Sequence, residues 1–231
     1  MIWLEASYQP TALFSLKPSW ATSSGGKSLL MPSPYALKMA VLDVAIRSSG
    51  LEAAKTAWPW LRGLQIGIDL PSPIVVTNLF AKVLRQRRNP APPGTPDAGP
   101  YQKTIGYREY VYYPQPIRLI FGIVKEGQLV QLAQWLVQVN YFGKRGGFVQ
   151  LLGPPASRSS DNGFIRLTQD PAGIPTQGII QQVEDCGPRM KFEHADIYDS
   201  KRPDRIVRHI VIPYRLARSS RSYSLYERIN D

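Results

Sequence analysis

Apolar and polar positions change period several times along the chain, and each change marks an element. Ile2 to Tyr8 is apolar enough for a short opening strand. After a Ser- and Gly-rich stretch through 21–28, Ser33 and Pro34 supply an N-cap and a first helical residue. Tyr35, Leu37, Ala40, Val41, Val44 and Ala45 then recur at the spacing of one buried helix face until Gly50 can close it. On that spacing Lys38, Asp43 and Arg47 are expected to face solvent. Leu51 to Leu61 continues as a short helix, expected to stop near Pro59. From Gly63 the period falls to two: Leu64 to Leu70 alternates, and 74–84 and 105–113 are β-branched or aromatic runs. Ile117 to Ile123 is a further strand. Leu129, Leu132, Ala133, Leu136 and Val137 fall at i, i+3, i+4, i+7 and i+8, the stripe of a helix lying on a sheet. The segment Gly143-Lys144-Arg145-Gly146-Gly147 ends that helix, and a strand at 148–152 leaves from it.

The resulting order is β, α, several β, α, β, which is the ferredoxin-like (RRM-like) βαββαβ plan of an α+β domain with an insertion between its two middle strands. The predicted domain covers residues 1–155, with a projecting β-hairpin at about 82–113. Residues 156–231 form a β-rich C-terminal portion, with strands expected at 163–168, 178–183 and 205–216. Five prolines within 89–104 predict a sixteen-residue structureless tip, longer than ordinary hairpin loops of about 2–5 residues.

Composition narrows the classes. Among 231 residues, 43% are apolar and 19% charged, enough for a packed core and against disorder along the whole chain. Twenty-one prolines argue against a helical bundle. Lys and Arg outnumber Asp and Glu by 28 to 17, a net charge of +11. The excess is local: residues 82–118 hold seven Lys or Arg against two acids, and 201–231 hold eight against three. The lone Cys186 can form neither an intramolecular disulfide nor a thiolate metal cluster. No apolar run is long enough to span a membrane, and the N-terminus lacks the pattern of a signal peptide. A cytoplasmic location with no membrane partner is the expectation.

The company kept by the charges points to phosphate. Arg85, Arg87 and Arg88 are followed, beyond the tip, by Lys103, Tyr107, Arg108 and Tyr110. Interleaved aromatic rings and guanidinium planes are what unstacked bases need, and the cations neutralise the backbone. In the loop Lys144, Arg145, Gly146 and Gly147, glycines allow a backbone to approach a phosphate and the cations supply charge. The stretch Ala21 to Ser28 matches a permissive phosphate-loop pattern, but Pro32 and Pro34 delay the helix whose N-terminus would face the phosphates. A basic turn is the better account, and no nucleotide or other cofactor is expected. Metal-independent RNA cleavage would need a proton acceptor, for which His209 and His194 are the alternatives. His194 lies among Glu193, Asp196 and Asp199, and His209 in an apolar run, so both are expected to be structural. The dispersed acids form no recognisable metal-ligand set.

Leu30-Met31-Pro32-Ser33-Pro34-Tyr35-Ala36-Leu37-Lys38-Met39-Ala40 resembles the Pro-Ser/Thr-Pro-small-Leu-Lys element near the start of the RAMP superfamily of CRISPR proteins. More narrowly, the chain is similar to the Cas-five family, with the inserted hairpin in the place of that family's thumb and Lys144 to Gly147 in the place of its glycine-rich loop. The resemblance covers about residues 1–155. It implies a non-catalytic subunit that caps the 5′ handle of the guide RNA in a type I Cascade complex. Its partners would be the guide RNA, the backbone and large subunits and, through the complex, target DNA. On this sequence the handle would be clasped by Ser33, Tyr35, Lys38 and the glycine loop. Arg85, Arg87, Arg88, Lys103, Tyr107, Arg108 and Tyr110 would act from the thumb. The alternatives are a metal-independent endoribonuclease processing repeat RNA, and a basic single-stranded RNA-binding protein outside CRISPR.

Overall fold

The computed structural model describes residues 1–18, 20–21, 26–144, 146–169, 177–196 and 204–229. Strand β1 (Ile2–Pro10) leads to helices α1 (Pro34–Ser49) and α2 (Leu51–Arg62), then to β2 (Gln65–Asp69). The long pair β3 (Ile74–Ala91) and β4 (Gly99–Tyr112) follows, then β5 (Ile117–Ile123), α3 (Glu126–Gln138) and β6 (Val149–Leu151). These elements build a sheet in the antiparallel order β6-β1-β5-β2, the strand order of the βαββαβ plan, with β3 and β4 inserted between its middle strands.

Alternation along the strands places Leu4, Ala6, Tyr8, Ile66, Ile68, Leu119 and Phe121 on one face, where they are buried with Leu37, Val41 and Val44 of α1 and with Leu132, Trp135 and Leu136 of α3. Burying such side chains stabilises the fold by about 1.5–3 kcal/mol each. Tyr8 Oη donates to the Leu136 carbonyl at 2.7 Å, joining strand to helix. The stripe on α3 is rotated from its expected setting. Trp135 is buried, stacks on Trp60 at 5.6 Å and donates from Nε1 to Ser49 Oγ at 2.9 Å, while Val137 is exposed. Helix α2 also runs past Pro59 to Arg62. The proline removes one intrahelical donor, but Trp58 and Leu61 are buried beside it, and Trp58 Nε1 and Arg62 Nη1 both donate to the Met190 carbonyl at 2.9 Å.

The opposite sheet face is closed by the chain after β6. Strand β7 (Ala156–Arg158) pairs with β1 and β8 (Ile165–Arg166) with β2. Phe164 between them lies with the Arg118 and Arg158 guanidiniums 5.2 and 5.1 Å from its ring. Under this strap Trp3 and Ile120 are buried. The last strands are β9 (Ile179–Cys186), β10 (Arg205–Ile212), β11 (Tyr214–Ser219) and β12 (Tyr223–Arg228). The first two form a separate antiparallel pair beside α1, and the chain then crosses at Pro213 into a four-stranded sheet ordered β11-β12-β3-β4. Val183, Cys186, Ile210, Ile212 and Tyr214 from these strands belong to the same core as β1 and α1.

The hairpin's tip is shorter than its prolines predict. Strand pairing continues outward from the base through Gln86 and Tyr101 and resumes at Ala91 and Gly99 beyond a register shift, leaving residues 92–98 as the turn. Pro90 and Pro100 are tolerated because each distal strand has its partner on one edge only, so a missing donor on the other edge costs little.

Candidate nucleic-acid interface

The start of α1 is organised by its own sequence. Ser33 Oγ accepts from the Ala36 amide at 3.2 Å, and Pro34 occupies the first helical position. Tyr35 is half-buried beside it, and burial raises its hydroxyl pKa, so the ring is neutral. Arg205 from β10 covers that ring with its guanidinium carbon 3.9 Å from the centroid, while Nη2 donates to Tyr35 Oη and Nη1 to Glu184, each at 3.0 Å. Lys38 leaves the candidate set. Its side chain is 2% exposed, and its ammonium donates to Asp185 Oδ1 at 2.6 Å and to the Arg62 carbonyl at 2.8 Å. The helix-face spacing expected it in solvent, but β9 packs on that flank of α1 and supplies the buried carboxylate.

The glycine loop is a tight turn against this helix start. Phe142 N donates to the Gly147 carbonyl and Gly147 N to the Lys144 carbonyl, both at 3.0 Å. Gly143 has φ +71°, and a Cβ there would lie 3.5 Å from Leu16 and 3.6 Å from Ala36. Lys144 and Gly146 are exposed, whereas Gly147 is buried against the Phe14 ring, so its missing side chain serves packing. Arg145 lies outside the described residues.

Phe14 connects the loop to the hairpin. Its amide and carbonyl exchange bonds of 2.9 and 2.7 Å with Val111 of β4, and its ring meets Tyr113 edge-on at 5.4 Å. Just above, Gly26 approaches β4 so closely that a Cβ would sit 1.9 Å from the Tyr107 carbonyl oxygen. The phosphate-loop match fails here: Lys27 Nζ is bonded to Glu109 Oε1 at 2.6 Å, Ser28 N donates to Oε2 at 2.9 Å, and α1 begins only at Pro34. The bond to Glu109 raises the Lys27 pKa, and residues 22–25 lie outside the described ones.

Register divides the hairpin candidates between two faces. Tyr107 lies opposite Phe80 and Lys103 opposite Leu84, on the side where Val76 and Val111 are buried against the body. Arg85 opposite Gln102, Arg108 opposite Leu79 and Tyr110 opposite Thr77 lie on the outward side. Tyr107 is held in place, its hydroxyl donating to Glu109 at 2.8 Å and Asn78 at 3.1 Å and its ring 4.7 Å from Phe80; burial, then the Glu109 contact, raise its pKa. Arg87 and Arg88 lie within the register shift, with Arg87 Nε donating to the Tyr101 carbonyl at 3.2 Å.

The alternative histidines lie on different elements. His194 Nδ1 accepts from the Lys191 amide at 3.2 Å and closes a 3₁₀ turn, and His209 stands exposed opposite Gln182 on β10. Asp199 lies outside the described residues. Among the described residues no group of three or more His, Cys, Asp or Glu could hold a metal ion, and no helix is long and apolar enough to cross a membrane. Sequence reasoning missed Arg205 as a neighbour of the helix start. The only signal available was its place in the second basic segment.

No protein-family model matches the chain. Among solved structures it is similar to a crystal structure of a CRISPR protein from Archaeoglobus fulgidus, at 15% identity and TM-score 0.49, over 100% of this chain and 93% of the other. Among curated proteins it is 24% identical over 212 residues to the CRISPR-associated protein Cas5 of Archaeoglobus fulgidus, spanning 87% of each chain. That match runs through a chain whose sheet order, inserted hairpin, Pro-Ser-Pro helix start and glycine loop are all in place, and it supports a Cas5-like protein of the RAMP type.

Proposed function

We propose that this chain is a non-catalytic, cytoplasmic guide-RNA-binding subunit of a CRISPR type I (Cascade) complex. It caps the 5′ handle of the guide, joins the backbone subunits to the large subunit, and meets target DNA through the complex. One observation carries the reading. The α1 start, the glycine loop and the base of the hairpin are joined through the buried residues Leu16, Phe14 and Val111, which sets the three elements side by side. Along them stand Tyr35, Lys144, Gly146, Tyr107 and Lys103, two neutral rings for bases and two cations for phosphates. The face an open sheet of this type offers for stacking is occupied by Phe164 and the strap, so the RNA runs along the edge that includes the glycine loop.

The test is the salt dependence of handle-RNA binding by the purified chain, read by fluorescence anisotropy. Lys103→Ala and Lys144→Ala should each weaken binding and reduce the slope of log affinity against log salt by about 0.7. Unchanged affinity and slope in both variants would remove this surface from the site. Cleavage of repeat RNA without divalent metal, abolished by His209→Ala, would replace the scaffold reading with an endoribonuclease.

A further inference from the structure

The outward face of the four-stranded sheet is not used by the handle surface, and it carries the chemistry of the second basic segment. Register aligns its side chains across strands. Tyr110 of β4 lies opposite Thr77 of β3, which lies opposite Tyr223 of β12. Tyr112 lies opposite Val75, then Leu225, then Arg218 of β11. Arg108 continues the first strand outward, and Arg215 lies on β11 opposite Glu227. The reverse face of the same strands is buried at Ile74, Val76, Val111 and Tyr214, so this one is the open face. Tyr112 is 48% exposed, and Arg108, Arg215 and Arg218 are exposed as well.

We propose that this face is a second binding surface for single-stranded nucleic acid, separate from the handle site. Rings two residues apart on one strand stand about 6.8 Å apart and neighbouring strands about 4.8 Å apart. Tyr110, Tyr112 and Tyr223 therefore form a stacking platform that spans three strands, about two inter-strand spacings wide. Three arginines against the single carboxylate of Glu227 line its length and give the charge a polyanion requires. An acidic protein surface would satisfy the arginines but not the aromatic rings, Tyr112 exposed and Tyr110 and Tyr223 partly so, which is why a nucleic acid is the occupant. The surface also accounts for Arg85, Arg108 and Tyr110, which point away from the glycine loop. It rests on the proposed function only in treating the handle as the occupant of the other side.

The experiment uses the full chain saturated with unlabelled handle RNA and titrated with a labelled fifteen-nucleotide oligouridine or oligothymidine, followed by anisotropy. A second strand should bind. Tyr112→Ala/Tyr223→Ala should weaken it by about tenfold per tyrosine, and Arg215→Ala/Arg218→Ala should lower its salt slope by about 1.4. Both variants should bind handle RNA within twofold of the parent. Comparing the two oligomers tells whether RNA or DNA is preferred. One strand per chain at saturation, unchanged second-strand binding in the tyrosine variant, or a parallel fall in handle affinity would each overturn the proposal. So would variants that keep both strands but lose a coexpressed protein subunit, because the face would then be a protein interface. Failure of the handle reading is seen separately, in Lys144→Ala.

Discussion

Removing either partner of the Lys38–Asp185 pair should destabilise the protein by unequal amounts. Both side chains are 2% exposed with Nζ and Oδ1 2.6 Å apart, and Asp185 also accepts from Arg208 Nε at 3.0 Å and from the Cys186 amide at 2.8 Å. Breaking a buried pair costs about 3–5 kcal/mol because the surviving charge loses its compensation. In Lys38→Met the apolar stem is kept and Asp185 retains a cation and an amide, so the low end, about 3 kcal/mol, is expected. In Asp185→Asn the Lys38 and Arg208 cations keep only neutral acceptors, the Arg62 carbonyl and the amide oxygen, and lose their shared counter-charge, so the upper end, about 5 kcal/mol, is expected. The double variant should cost less than the sum, with a coupling of about 1–2 kcal/mol. Urea unfolding followed by tryptophan fluorescence measures all three. Additive losses, or Lys38→Met costing more than Asp185→Asn, would refute the account. The same Lys38→Met protein, at a temperature where it is folded, should bind handle RNA with the parent's salt slope. A slope reduced by about 0.7 would return Lys38 to the RNA surface.

Burial pushes the Cys186 thiol up to about 12 from 9.0, so above pH 9 the unfolded chain sheds a proton that the folded one keeps and stability falls. The loss at pH 10 is about 1.4 kcal/mol, and equal stability slopes for the parent and Cys186→Ala between pH 8 and 10 would contradict it. Gly26→Ala places a methyl group into the backbone of β4 and should cost about 1–3 kcal/mol, with hydrogen exchange at the Glu109 amide, now bonded to the Gly26 carbonyl at 2.6 Å, as the local readout. Trp135→Phe removes the donor to Ser49 and should lower stability by at least about 1 kcal/mol in urea titrations. A neutral result would mean that water replaces the bond.

Local patterns carried much of the fold. Ser33, Pro34 and Gly50 bounded α1 because capping is decided within a few residues, and the two runs flanking the prolines became β3 and β4 because alternation is a property of the strand itself. The tip was overestimated because a proline's penalty depends on whether its edge is paired, which the chain does not state locally. Helix α2 passed Pro59, and α3 turned Trp135 inward, because distant partners at Met190, Ser49 and Trp60 outweighed propensity.

The candidate surface divides the same way. Residue types and their clustering by themselves determined that this protein is basic in two segments, rich in Tyr and Arg around a hairpin, and furnished with a glycine loop after its second amphipathic helix. Those are one-dimensional properties, complete in the order of the residues. Only the tertiary structure decided that Lys38 is interior, that Arg205 covers Tyr35, and that the hairpin cations fall on two faces. Each depends on strand register or on a partner more than a hundred residues away. A side chain's solvent exposure is set by what packs against it, and that neighbour, β9 against α1 or β12 against β3, is chosen by the whole core.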